Sequence, residues 1–326
     1  MKKLFLYQIL ILFFFFMFQK QVNANASMPA FWNTGSGHTI NIFDKNTKIA
    51  SKNIRMDSEK VVVMLYQGFS VVKGEYNMFN DSNKEISVDV GYPENKVFEN
   101  PIVKNIVTGQ IYNLEISIND KENKYETISP DSSKKWYVWK TKFKPKSFTK
   151  ITVHFLTDNH YAKLSQGYDS KKSNGFTYIL ESGKAWKDKI GKGDIYIKLM
   201  NDVSFSDILA IFPKNMKYDE KSKTIIKSFQ NLEPNGEDNI VISYEKSNEN
   251  FNFSQIKEDY KKYFQDIDSF KIPIFEKEQL KDIDKDNFEI PYTSSISFYL
   301  LSAISLMGII FFISFIILIK MLFKRK

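Results

Sequence analysis

The chain has 326 residues, with 46 Lys and Arg against 38 Asp and Glu, and contains no cysteine. The lack of cysteine excludes disulfides, thiolate nucleophiles, cysteine-held metals and a cysteine-borne lipid anchor. Seven of the bases (Lys2, Lys3, Lys20, Lys320, Lys324, Arg325 and Lys326) lie at the two ends, and without them 39 bases face 38 acids, so the formal charge of +8 is no argument for a nucleic-acid partner.

The first predicted element is a signal peptide over residues 1–26. Lys2 and Lys3 precede an apolar run from Leu4 to Phe18, and Ala24 and Ala26 then bracket Asn25 in a polar stretch, which places cleavage after Ala26. An uncleaved anchor is the other reading of this run, but it holds only about 15 residues where a bilayer core needs about 20.

Residues 27–247 read as an all-β ectodomain. "VVVMLY" (Val61 to Tyr66) is a continuous apolar run, as in a strand covered on both faces. "GEYNMFN" and "EISVDVGY" are expected to pair across the polar turn "NDSNK", and "VTGQIYNLEISIND" and "WYVWKTKF" follow as further strands. Strict alternation puts Ile151, Val153 and Phe155 on one face of "KITVHFL". It does the same for Ile195, Ile197 and Leu199 in "DIYIKLM", and for Ile240, Ile242 and Tyr244 in "NIVISYE". Turn clusters such as "PDSSKK", "YDSKKSNG" and "EPNGEDN" separate the runs. The pattern predicts an antiparallel β-sandwich, one large or two small, with an internal boundary near 158–174. Aromatic residues, 15% of the chain, supply bulk for its core.

Residues 248–292 are read as a helix and a stalk. Phe253, Ile256, Tyr260, Tyr263, Phe264 and Ile267 recur at helical spacing, with Ser254 placed to cap the start, and a charged, proline-marked stretch follows. Residues 293–319 form the predicted transmembrane helix: Ile296 to Ile319 carries no charge, about 36 Å of helix. "KMLFKRK" follows at once, so residues 320–326 are expected on the cytoplasmic side and the body outside. The lack of disulfides in an exported body, and the abundance of Lys, Asn and Ile over only two arginines, point to a bacterial cell membrane.

"YILESGKAWKDKIGKGDIYIKL" (Tyr178 to Leu199) imitates a phosphate-gripping loop and fails as one. Lys184 is followed by Ala185 and Lys192 by Gly193, where Ser or Thr should open a helix, and an alternating strand comes next. Two strands joined by a loop that Trp186 anchors is the better reading. Together with "FSVVKGEYNMFNDSNKEISVDVGYPEN" (Phe69 to Asn95), this stretch resembles two blocks of a family of exported bacterial proteins of unknown function. In that family a "GFPE"-like turn precedes an "sGa-W-kg-I" segment. Gly91-Tyr92-Pro93-Glu94, Gly183-Lys184-Ala185-Trp186 and Ile190-Gly191 stand in those places here, with Tyr replacing Phe. The resemblance runs from Met28 to Glu245 and implies export and architecture, with no activity and no catalytic residues.

Chemistry-bearing residues are sparse. His154, Asp158 and His160 in "HFLTDNH" supply a metal's donor types, but His154 alternates off the apolar face and His160 falls in a loop; His38 stands alone. "DIDKDNFE" (Asp282 to Glu289) opens like a calcium loop but has Asn287 at the sixth position and Thr293 at the twelfth. "IPYTS" (Ile290 to Ser294) is similar to a cell-wall sorting signal with its first and last residues changed. No catalytic, cofactor-binding or metal residue is assigned and no cofactor is expected. Trp32, Trp136, Trp139 and Trp186 are the candidate binding or anchor aromatics. The expected function is a non-catalytic envelope module bound to the membrane through its C-terminal helix, with an envelope protein or a glycan as partner and no nucleic acid. The alternative is an enzyme acting on an external glycan or other polymer, for which Glu75, Glu94 and Glu181 are the acids near the recognisable blocks.

Overall fold

A computed structural model describes residues 38–39, 49–50, 52–94, 96–98, 103–104, 106–108, 111–131, 134–160, 162–166, 169–180, 183, 186–200, 203–245 and 252–285. In chain order the strands begin with β1 (His38–Thr39), β2 (Ile54–Tyr66), β3 (Phe69–Asn80), β4 (Ile86–Glu94), β5 (Lys96–Phe98), β6 (Val103–Lys104) and β7 (Ile106–Thr108). They continue with β8 (Ile111–Ile118), β9 (Lys121–Asn123), β10 (Glu126–Asp131), β11 (Lys134–Phe143), β12 (Phe148–Asp158), β13 (Ala162–Gln166) and β14 (Asp169–Tyr178). The last are β15 (Ile190–Leu199), β16 (Ile208–Phe212), β17 (Lys217–Asp219), β18 (Thr224–Leu232), β19 (Ile240–Tyr244) and β20 (Lys281–Asp282). Helices α1 (Phe253–Glu258) and α2 (Tyr260–Ser269) lie between β19 and β20.

The protein is mostly β, as expected. A nine-stranded sheet, in the order β20-β17-β18-β15-β2-β3-β12-β8-β9, faces a four-stranded sheet (β1-β4-β11-β10) and a five-stranded sheet (β16-β19-β14-β13-β6). The main core lies between these layers. It joins Val61, Tyr76, Ile151, Ile195 and Ile225 of the large sheet to Val88, Trp139 and Phe143, and to Phe176, Ile211 and Ile242. Burying this apolar face is the main driving force for the assembly. Residues on both sides of 158–174 belong to this one cluster, and β15 pairs with β2 in parallel from Lys192↔Ser58 to Leu199↔Leu65. The large sheet is therefore mixed, and the purely antiparallel expectation is corrected at that pair.

A second correction concerns β3 and β4, which do not pair. Both edges of β3 are occupied, by β2 and by β12, so β4 crosses to the smaller sheet and pairs with β11 from Ile86↔Phe143 to Glu94↔Lys135. Asn80, fully buried, directs the crossing: its Nδ2 donates to Lys84 O at 2.8 Å and Phe143 O at 2.9 Å, while Oδ1 accepts from Ser82 N. A polar turn between two apolar runs looks the same in sequence whether it closes a hairpin or links two layers.

The outer face of the large sheet is half covered. Phe253, Ile256, Tyr260, Tyr263, Phe264 and Ile267 of α1 and α2 pack on Val62, Met64, Phe69, Val71 and Leu156. The six aromatic and aliphatic positions are those picked out by helical spacing, and the helices are structural. The N-cap of α1 is Asn252, whose side chain accepts from Ser254 N, and not Ser254. The chain expected as a stalk stays on the domain as far as Lys285. Phe275 stacks on Tyr196, Lys281 and Asp282 pair with β17, and Ile283 is buried in the main core. Among the described residues no helix is long and apolar enough to cross a membrane. The predicted signal peptide, the transmembrane helix at 293–319, the "IPYTS" segment and Trp32 all lie outside the described residues.

Candidate functional site

On the part of the outer face that the helices leave bare, the alternation of β2, β3, β12 and β15 raises a polar platform. A groove of about 450 Å³ is lined by residues that include Lys60, Glu75, Asn77, Lys150, Lys192 and Asp194. Glu75 is the hub: its carboxylate lies 2.6 Å from Lys60 Nζ and 3.2 Å from Lys150 Nζ, and Lys150 reaches on to Asp120 at 3.2 Å. Burial by itself would raise the Glu75 pKa, but the Lys60 and Lys150 hydrogen bonds and the lysine charges outweigh it and hold the carboxyl below its ordinary value. Lys150 is correspondingly raised: burial opposes its charge, and Glu75 and Asp120 more than offset this. Asp194 accepts from Lys192 at 3.0 Å and from Ser228 at 2.7 Å. Glu75 is therefore not suited to donate a proton near neutral pH, since a general acid needs a raised pKa.

One acid does have a raised pKa, and it was missed from the sequence. Glu59 is 4% exposed, its Oε1 has no hydrogen-bond partner among the described residues, and burial pushes its pKa up to about 8. It lies opposite Tyr76 on β3 and Gly193 on β15, in line with the core residues Val61, Val63 and Leu65. Glu59 borders the same groove as Glu75, but the strand register alternates the two side chains to opposite faces of one sheet. They cannot flank a single scissile bond as a glycosidase pair must. No alternation marked it in advance: Val61 to Leu65 is apolar at every position, so the face that position 59 shares shows only in the structure.

His154, on the outer face of β12, offers Nε2 to Asp268 Oδ1 at 2.9 Å, and its ring lies 5.3 Å from Phe264. His160 sits in the turn after β12, with Nδ1 3.3 Å from Gly68 O and 3.9 Å from Asp158 Oδ1. The two histidines therefore serve different contacts, and among the described residues no group of three His, Asp or Glu could hold a metal ion. Asp282, the first acid of the calcium-like stretch, is in strand β20 and ion-paired with Lys217, not at the mouth of a loop. His38 lies opposite Gly91 on β1, and Glu94 is the last residue of β4. Glu181 is outside the described residues.

Of the four tryptophans, Trp139 (2% exposed) and Trp186 (5%) are core side chains, the latter edge-on to Phe143 at 6.3 Å. They offer no surface to a ligand. Trp136 pairs in register with Pro93 and Ile128 on neighbouring strands, and its side chain is outside the described residues.

No family model and no curated protein sequence matches the chain. Among solved structures, a Legionella pneumophila protein provisionally described as a nutrient binding protein is similar at 16% identity and a TM-score of 0.42, over 60% of this chain and 68% of that one. An M1 zinc metallopeptidase from Deinococcus radiodurans matches at 7% identity and TM-score 0.29, over 59% of this chain and 42% of that one. A point mutant of that enzyme matches at 6% and 0.30 over the same shares. The chain spans less than half the length of the metallopeptidase. None of these likenesses carries a residue role or an activity to this chain.

Proposed function

We propose that this protein is a non-catalytic module of a bacterial envelope, held outside the cytoplasmic membrane by the apolar run at Ile296 to Ile319, where it binds or braces another envelope component. The observation that supports it best is how the described chain ends. Lys281 and Asp282 are paired in the large sheet, Ile283 is buried, and Lys285 Nζ rests 5.2 Å above the Phe205 ring. Only residues 286–295 then separate the domain from 24 uncharged residues followed by "KMLFKRK". Ten residues reach at most about 35 Å. A domain tied this closely to a span works at the membrane surface, not at a distance from it.

A tag placed after Lys326 tests the reading. Protease added to spheroplasts is expected to digest the domain and leave a short tagged fragment protected by the membrane. A full-length tagged chain that survives until the membrane is opened would refute it. Crosslinking before extraction then identifies the component bound.

A further inference from the structure

The β6–β13–β14 corner of the five-stranded sheet places three lysines in one row. Lys163 on β13 lies directly opposite Lys172 on β14 and directly opposite Lys104 on β6. Like charges facing each other across adjacent strands are destabilising, so such a row calls for an external counter-charge. Lys172 is exposed and Lys163 half-buried, and neither has an ion-pair partner among the described residues. The next lysine, Lys171, is matched by Glu245 at 3.1 Å. Among the described residues, Lys163 and Lys172 thus lack the counter-charge that Lys171 has.

Its position relative to the chain's exit is the second observation. Ile208 on β16 and Asn174 on β14 both face Tyr244 of β19. Lys172 is two residues beyond that row, on the side where Glu245 N donates to Asp207 O and the turn at Phe205–Asp207 carries Lys285 over its ring. β16 and β13 are three strand spacings apart, about 15 Å. The lysine row and Lys285, the last described residue before the apolar run, thus share one end of the domain.

We propose that this end rests on the bilayer, with Lys163 and Lys172 set against anionic lipid headgroups. The inference rests on the membrane-anchored reading above and adds an orientation to it: the five-stranded sheet points its β6–β13–β14 corner down, and the polar platform of Glu75 and Lys150 is left free for the partner. Each lysine near an anionic surface contributes about a five-fold preference for the apposed state.

The test uses the full chain reconstituted into vesicles. The absence of native cysteine allows a single fluorophore at Ser170→Cys beside the row, and a reference fluorophore at Lys121→Cys on β9, at the edge of the large sheet farthest from β20. Headgroup spin labels should quench the Ser170 position and spare the Lys121 position in vesicles containing phosphatidylglycerol, with less quenching in phosphatidylcholine alone. Lys163→Gln with Lys172→Gln should lower the apposed fraction by about five-fold per lysine, and about 1 M salt, where charges are screened within about 3 Å, should abolish it. Flotation with the vesicles but no quenching at Ser170, or equal quenching in neutral and anionic vesicles, overturns this orientation alone. Failure to float with either vesicle overturns the anchored reading and the orientation with it.

Discussion

His154 and Asp268 meet at 2.9 Å across the joint between the large sheet and helix α2, and Lys73 Nζ reaches the same carboxylate oxygen at 2.7 Å. Burial favours the neutral form of Asp268, but hydrogen bonds from Lys73 and His154 and their charges prevail, so its pKa is lowered. The contact is a polar clasp on a mainly apolar joint, beside the ion pair of Lys261 on α2 with Glu115 on β8.

Asp268→Asn should therefore loosen α2. A carboxylate with a depressed folded pKa stabilises above its unfolded pKa, near 4, and loses that contribution as pH falls through the folded value. The carboxylate is half exposed, which limits the effect to about 1 kcal/mol near neutral pH. Amide exchange in Tyr260–Ser269 should quicken in the variant at neutral pH and match wild type in acid. Equal protection at both pH values would show that the clasp contributes nothing.

Glu59 predicts the opposite pH limb. The unfolded chain releases this proton near 4.5 while the folded protein keeps it to about 8. Between those values the unfolded state binds fewer protons, so stability falls as pH rises, by about 1.4 kcal/mol per unit and about 5 kcal/mol in total. Glu59→Gln should remove this slope and leave the variant about 3 kcal/mol more stable than wild type at pH 7. Denaturant midpoints measured from pH 5 to 8 will show either a flattened profile or, against the prediction, parallel ones.

Gly191 lets β15 pass close to the irregular step in β2 between Met56 and Ser58. A Cβ there would lie 2.4 Å from the backbone oxygen of Asp57, an atom that cannot rotate away. Gly191→Ala should cost about 1–3 kcal/mol, as overpacking does. Gly193→Ala should cost less, because its Cβ would meet the tip of the Phe229 ring, which can turn aside. Thermal melts of the two variants settle the order.

Phe264→Ala should open the second core. The side chain is 4% exposed and packs with Ile267 against the outer face of the sheet. A loss of about 3–5 kcal/mol is expected. Binding of a hydrophobic dye should rise in the variant, since a displaced α2 uncovers Val62, Met64, Phe69 and Val71. An unchanged dye signal would mean that the helices are held by other contacts.

Much of the site was hidden for reasons that particular residues make plain. Glu75 was noticed for its place in a recognisable block, but its neutralisation depends on Lys60 and Lys150, 15 and 75 positions away in sequence, brought beside it by strand register. The lysine row depends in the same way on the pairing of Lys163 with Lys104 and Lys172. Trp139 looked like a candidate contact because sequence does not reveal which side of a strand will be covered, whereas Trp186 is buried, in keeping with its reading as the anchor of its loop.

Period-2 alternation and helical spacing are local properties, and they were enough for the β-rich class, the inward faces of β12, β15 and β19, and the apolar stripe of α1 and α2. The partners of those elements were not local. Pairing of β2 with β15 in parallel, the passage of β4 to another sheet, and the folding back of Phe270 to Lys285 onto the domain were decided by competition for sheet edges and for uncovered apolar surface. Such competition exists only once all the strands are assembled: an edge can be occupied once, and the residue that arrives second must find another layer.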